Sequence, residues 1–127
     1  MLLAVCQEFG IENDIIPSIA SCFGGGLGNT GSVCGAVVGA AMAIGLLEKR
    51  DHTLEDWLRL AGLAQEFRRR FEAEMGTISC RELTGIDLTR EDERENLMNS
   101  DIPQTVCIPA VGLAYQLTVE LMREDSR

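Results

Sequence analysis

Residues 23 to 45, "FGGGLGNTGSVCGAVVGAAMAIG", constrain this chain more than any other stretch. A glycine run leads to a cysteine and then to a series of very small apolar residues. Three physical readings compete for it. Gly26 to Gly31 match the G-x-G-x-x-G of a dinucleotide cradle, a pattern with meaning only between a strand and a helix of a βαβ unit. The segment before it reads as helix, no parallel-sheet pattern follows, and no lysine stands where a phosphate loop needs one. Gly35 and Gly39 form G-x-x-x-G beside Ala36, Ala40 and Ala43. In an apolar stretch shorter than the roughly 20 residues of a bilayer helix, that is a close-packing signal and not a membrane span. The third reading makes the stretch a platform for a thiol. With Ser32 as N-cap, a helix over Val33 to Leu47 puts Cys34 in its first turn, where the helix dipole and unpaired N–H groups favour the thiolate. The glycines before it let backbone come close to whatever the sulfur binds or attacks.

The rest of the chain reads as helix. Leu2 to Phe9 forms a first helix ending at Gly10. A second, from the cap Asp14 to about Cys22, carries Ile15, Ile16, Ile19 and Ala20 on one face, with Pro17 in its first turn. Thr53, Asp56 and Gly76 bracket the clearest helix, whose apolar stripe is Leu54, Trp57, Leu58, Ala61, Ala64, Phe67, Phe71 and Met75. "TISCRELTGIDLTRED" is irregular, placing Cys80 just beyond that helix. Thr89 caps a short acidic helix to about Met98. Pro103 opens a last long helix to about Arg123, with Cys107 near its start and Val106, Ala110, Leu113, Ala114, Leu117 and Leu121 as core positions. No run of alternating residues demands a sheet. The expectation is an all-α, single-domain helical bundle over residues 1–127, with a glycine-rich loop leading into a buried small-residue central helix.

Composition narrows the function. The net charge of −9 leaves no basic face for nucleic acid. Arg68, Arg69 and Arg70 lie among Glu66, Glu72 and Glu74, and Arg68–Glu72 and Arg70–Glu74 at i,i+4 describe a solvated helix face. "MLLAVCQEFG" lacks the pattern of a signal peptide, so a cytoplasmic location is expected. His52, in the polar turn "EKRDHT", reads as a solvated loop residue, and no acid–base set supports a hydrolase. "TREDEREN" lacks the spaced loop of a calcium site and reads as a helix start.

That leaves the cysteines: Cys6, Cys22, Cys34, Cys80 and Cys107. In a reducing compartment such residues serve as metal ligands or redox thiols more often than as structural disulfides, although a free cysteine also packs as a small hydrophobe. No C-x-x-C occurs, which removes thioredoxin, zinc-ribbon and c-type haem signatures.

"FGGGLGNTGSVCGAVVGAAMAIGL", with Cys34 to Gly39 as C-G-A-x-x-G, resembles the redox-active protein family named C_GCAxxG_C_C. "SCRELTGIDL" around Cys80 and "CIPAVGLAYQLTVELM" from Cys107 resemble that family's two later cysteine segments. The resemblance implies a small all-helical bacterial or archaeal protein, often encoded near transporter genes, with a redox role inferred from its cysteines. It makes Cys34, Cys80 and Cys107 the counterparts of the family's second, third and fourth cysteines. The first, in an Asn-Cys pair near the start of helix one, belongs before Leu2, and this chain begins after it. Cys6 lies about two turns further along and takes its place only if helix one slides or the site is rebuilt. Cys6 and Cys22 are expected to pack.

Two chemistries follow for Cys34, Cys80 and Cys107. They hold a metal ion or iron–sulfur cluster, which usually takes four thiolates and so needs Cys6, water or a partner chain as well. Or two of them cycle between dithiol and disulfide, with Cys34 attacking and Cys80 or Cys107 resolving. The partner is then an unidentified redox or transporter-associated protein. The alternative is a non-catalytic scaffold with buried structural cysteines, in which the small-residue face leaves room for a homodimer.

Overall fold

The computed structural model describes residues 1–48 and 53–126, so His52 and its expected turn lie outside the described residues. Helix α1 spans Leu2–Glu8, and a 3-10 turn at Ser18–Phe23 runs into a single glycine turn, α2 (Gly24–Leu27). Then follow α3 (Gly35–Leu47), α4 (Leu54–Met75), α5 (Cys80–Thr84) and α6 (Glu91–Met98). A π turn at Pro103–Cys107 leads without a break into α7 (Ile108–Asp125). Among the described residues there is no strand, only an isolated antiparallel bridge between Val33 and Ser79. The all-α bundle expected from the sequence is what forms.

Helix α3 is the centre because its residues are small. It packs against α1, α4 and α7, and each approach uses a residue of the C-G-A-x-x-G stretch or its continuation. A Cβ on Gly35 would sit 2.9 Å from the carbonyl oxygen of Phe23, so the 3-10 turn crosses there only because no side chain intervenes. Gly39 faces the start of α1, with Leu2 N and Met1 Cβ each 3.5 Å from where its Cβ would be. Ala36 and Ala40 meet Ala110 and Ala114 of α7 in one buried cluster, where alanine against alanine allows the backbones to close in. Larger side chains fill what remains. Phe67 and Phe71 of α4 are buried and stacked, with ring centroids 5.8 Å apart. The G-x-x-x-G face is therefore used inside the domain.

The local signals of α4 act as written. Thr53 accepts from Asp56 N at 3.1 Å while the Asp56 carboxylate accepts from Thr53 N at 3.1 Å, a complete capping box, and Gly76 closes the helix at φ +85. Its apolar stripe is buried only in part. Phe67 and Phe71 are core, but Leu54, Trp57 and Leu58 are 71%, 62% and 56% exposed. The ends of the helices explain this. Asp125 and Glu124 in the last turn of α7 pair with Arg59 and Arg70, so the turns of α4 before Arg59 run past the end of α7. Arg70 thus bonds Glu66 and Glu124 rather than the Glu74 that spacing suggests, whereas Arg68 does pair with Glu72.

Three further expectations change. Residues 14–17 form a turn and not a helix: the Asn13 side chain accepts from Ile15 N at 3.1 Å, an Asx turn that competes with helix formation, and the Ile16–Pro17 peptide is cis. Ile15 and Ile19 are consequently exposed, not a core face. Thr89 does not cap α6. Its hydroxyl and amide are both taken by the Asp87 carboxylate, and Arg90 is the cap position. The segment Pro103–Asp125, interrupted by polar residues in sequence, is nevertheless long and apolar enough by length and composition to cross a membrane. In the bundle it is a core helix, with Ala110, Ala114, Leu117 and Leu121 buried.

Candidate functional site: a cavity lined by three cysteines

Gly25 to Asn29 all have positive φ, a left-handed turn that L-residues avoid by about 1–2 kcal/mol each. Glycine occupies Gly25, Gly26 and Gly28, and the two side-chain-bearing members are Leu27 and Asn29. The turn is closed by its own backbone: Gly31 N donates to Gly25 O at 3.1 Å and Ser32 N to Gly26 O at 2.9 Å. The Thr30 hydroxyl donates to Gly26 O at 2.7 Å. This is a structural turn and not a phosphate cradle, since it stands between a 3-10 turn and a bridge instead of between a strand and a helix.

The bridge then fixes two of the cysteines. Cys34 N donates to Ile78 O at 2.7 Å, and Cys80 N donates to Ser32 O at 2.7 Å. Val33 pairs with Ser79, which sets Cys34 and Cys80 on the opposite side of the pairing and diagonal to one another. The same contact moves the helix start. Val33 and Cys34 are held extended by the bridge, so α3 begins at Gly35 and Cys34 is itself the N-cap, with φ −52 and ψ 130. Ser32 is not the cap. Cys80 is likewise not in irregular chain: it is the first residue of α5, whose cap Ser79 accepts from Glu82 N at 3.2 Å. Gly26 lies against it so closely that a Cβ there would be 2.6 Å from Cys80 Cβ.

Cys107 arrives from the other side, as the last residue of the π turn. Pro109 accounts for that turn. Its ring has no N–H and would clash with the Thr105 carbonyl in a regular helix, and the wider π turn, with Ile108 N donating to Pro103 O, gives it room.

Cys34, Cys80 and Cys107 line one cavity of about 510 Å³. Each is partly buried. The Cys80 thiol is held above its ordinary value first by burial and then by the neighbouring Cys34 and Cys107. Cys107 is raised by burial and then by Cys34. The three sulfurs are therefore electrostatic neighbours. Cys6 is elsewhere: it is buried in a separate cluster with Leu2, Val5 and Ala43, and burial raises its thiol. It does not reach the cavity, although Met1 and Leu2 at the start of α1 do. Cys22, expected to pack, is exposed.

Another part of the cavity wall comes from α5 and the acidic segment between it and the π turn, and Leu88 reaches the glycine turn, its Cδ1 3.4 Å from where a Cβ on Gly25 would be. Leu83, Leu88 and Leu97 punctuate an otherwise charged stretch, and all line the cavity. Leu88 is 3% exposed. Their apolar spacing within "CRELTGIDLTREDERENLM" was the available signal. As a metal centre the arrangement is incomplete: among the described residues no group of three or more His, Cys, Asp or Glu side chains is disposed to hold a metal ion.

The family model described as "Putative redox-active protein (C_GCAxxG_C_C)" matches residues 1–121. The chain belongs to this family. No curated protein and no solved structure matches it. In this C_GCAxxG_C_C protein the small residues of the motif have distinct physical reasons: Gly35 admits the Phe23 carbonyl, Ala36 closes the core on α7, and Gly39 admits α1.

Proposed function

We propose that this chain is a dithiol–disulfide redox protein in which Cys34 is the attacking thiolate and Cys80 or Cys107 the resolving thiol. The observation that carries the reading is the convergence of three cysteines, distant in sequence, on one cavity in which their ionisations influence one another. The electrostatics support a division of roles. Cys34 caps a 13-residue helix, whose N-terminal dipole favours an anion beside it. Burial raises the Cys80 and Cys107 thiols above their ordinary value, as suits thiols that act second. In the reaction, Cys34 Sγ attacks one sulfur of a disulfide and expels the other as a thiolate. The resolving cysteine, once deprotonated, attacks Cys34 Sγ and expels the remaining thiol. The protein loses two electrons and the substrate gains them. The dithiol state requires a reducing compartment, in keeping with a cytoplasmic location, and the partner that regenerates it, transporter-associated or not, lies outside this chain.

The test is anaerobic purification followed by oxidation with a limiting small disulfide and peptide mapping. The expected product is one intramolecular disulfide that includes Cys34, lost in Cys34→Ser and retained in Cys6→Ser and Cys22→Ser. Alkylation of single-cysteine variants at neutral pH should show Cys34 reacting faster than Cys6 or Cys22. A tightly bound iron–sulfur cluster or metal ion in the anaerobic protein would replace the dithiol reading. Inert cysteines with no such disulfide would leave a structural scaffold.

A further inference from the structure

We propose that the thiol cavity takes small, uncharged, largely apolar disulfides and rejects anionic ones such as glutathione disulfide. This rests on the dithiol reading and adds its substrate class. A volume of about 510 Å³ is that of a small-molecule site, which typically spans roughly 300–1,000 Å³. The composition of its wall decides what enters. In a chain that is 24% charged, no side chain of a described residue lining the cavity carries a charge. Apart from the thiols, its polar side chains are Asn29 and Thr84, and the Thr84 hydroxyl already donates to Cys80 O at 2.9 Å. The nearby Arg81 is exposed and is not part of the lining: its guanidinium faces Asp87 at 3.6 Å.

A carboxylate moved beside Cys34 would lose its water with no cationic side chain in the lining to replace it, a penalty that an apolar substituent does not meet. The net charge of −9 adds a long-range repulsion of the same sign. An apolar disulfide instead gains by leaving water for walls such as Leu83, Leu97, Val106 and Ala110. The way in is marked by lining residues that also reach solvent, Met98 at 75% and Val111 at 40% exposure. The chemistry is that given above: R–S–S–R is reduced to two R–SH, and Cys34 and its resolving partner become a disulfide.

The experiment compares two chromogenic disulfides on the reduced full chain under anaerobic conditions, uncharged 4,4′-dithiodipyridine and dianionic 5,5′-dithiobis(2-nitrobenzoate). Each rate is divided by the rate with the same chain unfolded in urea, which cancels the intrinsic reactivity of the reagent. The ratio for the uncharged reagent should exceed that for the dianion by about tenfold or more. It should persist near 1 M salt, where the Debye length is about 3 Å and net charge no longer acts at range. Val111→Trp and Met98→Trp, both at the mouth, should each lower the uncharged ratio several-fold while leaving the helical circular dichroism unchanged. Equal ratios for the two reagents, with the intramolecular disulfide still formed, overturn the substrate class and leave the dithiol reading standing. So does a preference that disappears in salt. Failure of both reagents to produce an intramolecular disulfide overturns the dithiol reading, and this inference with it.

Discussion

Replacing Gly26 by alanine separates what the glycine turn does for the backbone from what it does for Cys80. Gly26 has φ +70, and a Cβ there would lie 2.6 Å from Cys80 Cβ, 2.6 Å from Ser32 N and 2.8 Å from the Gly31 carbonyl carbon. Two of those three atoms are backbone, so nothing flexible can give way. Gly28, in the same turn at φ +61, has nothing within 4 Å of its Cβ position. Both substitutions force an L-residue into the left-handed region, at about 1–2 kcal/mol, and both reduce the freedom of the unfolded chain, worth roughly 0.4–1 kcal/mol in the opposite direction. Gly28→Ala should therefore destabilise by about 1 kcal/mol. Gly26→Ala adds an overpacking term of about 1–3 kcal/mol, for a total of about 2–4 kcal/mol out of a typical 5–15. Urea unfolding of both variants measures the difference, in which the shared backbone terms cancel. Gly26→Ala should also slow disulfide formation, because the clash pushes Cys80 out of place, whereas Gly28→Ala should not. Equal destabilisation by the two variants would refute the idea that Gly26 is required by its approach to Cys80.

Gly39→Ala should leave stability unchanged or raise it by up to about 1 kcal/mol, since the new Cβ meets Leu2 N and Met1 at ordinary contact, 3.5 Å, and alanine is the better helix former. Gly39→Leu should lose about 1–3 kcal/mol by driving α1 away, read from the same urea curves. Phe71→Ala should cost about 3–5 kcal/mol, because the ring is fully buried against Phe67; a loss under about 1 kcal/mol would mean that the cluster is not the core. Burial raises the Cys6, Cys80 and Cys107 thiols above their usual 9.0, so the folded chain keeps protons there that the unfolded chain releases. Their contribution is complete below about pH 9 and is lost as pH rises through the folded values, so the urea midpoint should fall on the alkaline side, less steeply in Cys80→Ala. Glu66 is lowered to about 2 by its hydrogen bonds from Arg69 and then Arg70, so its share of stability is present above the usual carboxylate range and lost only as pH falls toward 2; carboxyl titration by NMR should show it ionised at pH 3.5.

The features legible in the sequence were those decided by neighbours in the chain. The capping box at Thr53 and Asp56 and the glycine stop at Gly76 involve residues a turn apart, and they stand where the pattern put them. The small residues of α3 announced a close-packed centre because only helices approaching nearly to backbone contact can use such a face. The order and setting of Cys34, Cys80 and Cys107 carried the family resemblance. What the sequence could not show depends on partners remote in the chain. Ser32 looked like a cap until Ile78 and Ser79 paired with the strand-like residues after it, which delayed α3 and made Cys34 the cap. Leu54, Trp57 and Leu58 have the period of a core stripe, yet the end of α7 decides that they face outward. The π turn before Pro109 and the leucines of the acidic segment bring the last wall and the third thiol to the cavity. Periodicity and capping report energies settled within a turn or two of helix. A cavity is settled by which helix ends first, and that is a property of the packed bundle alone.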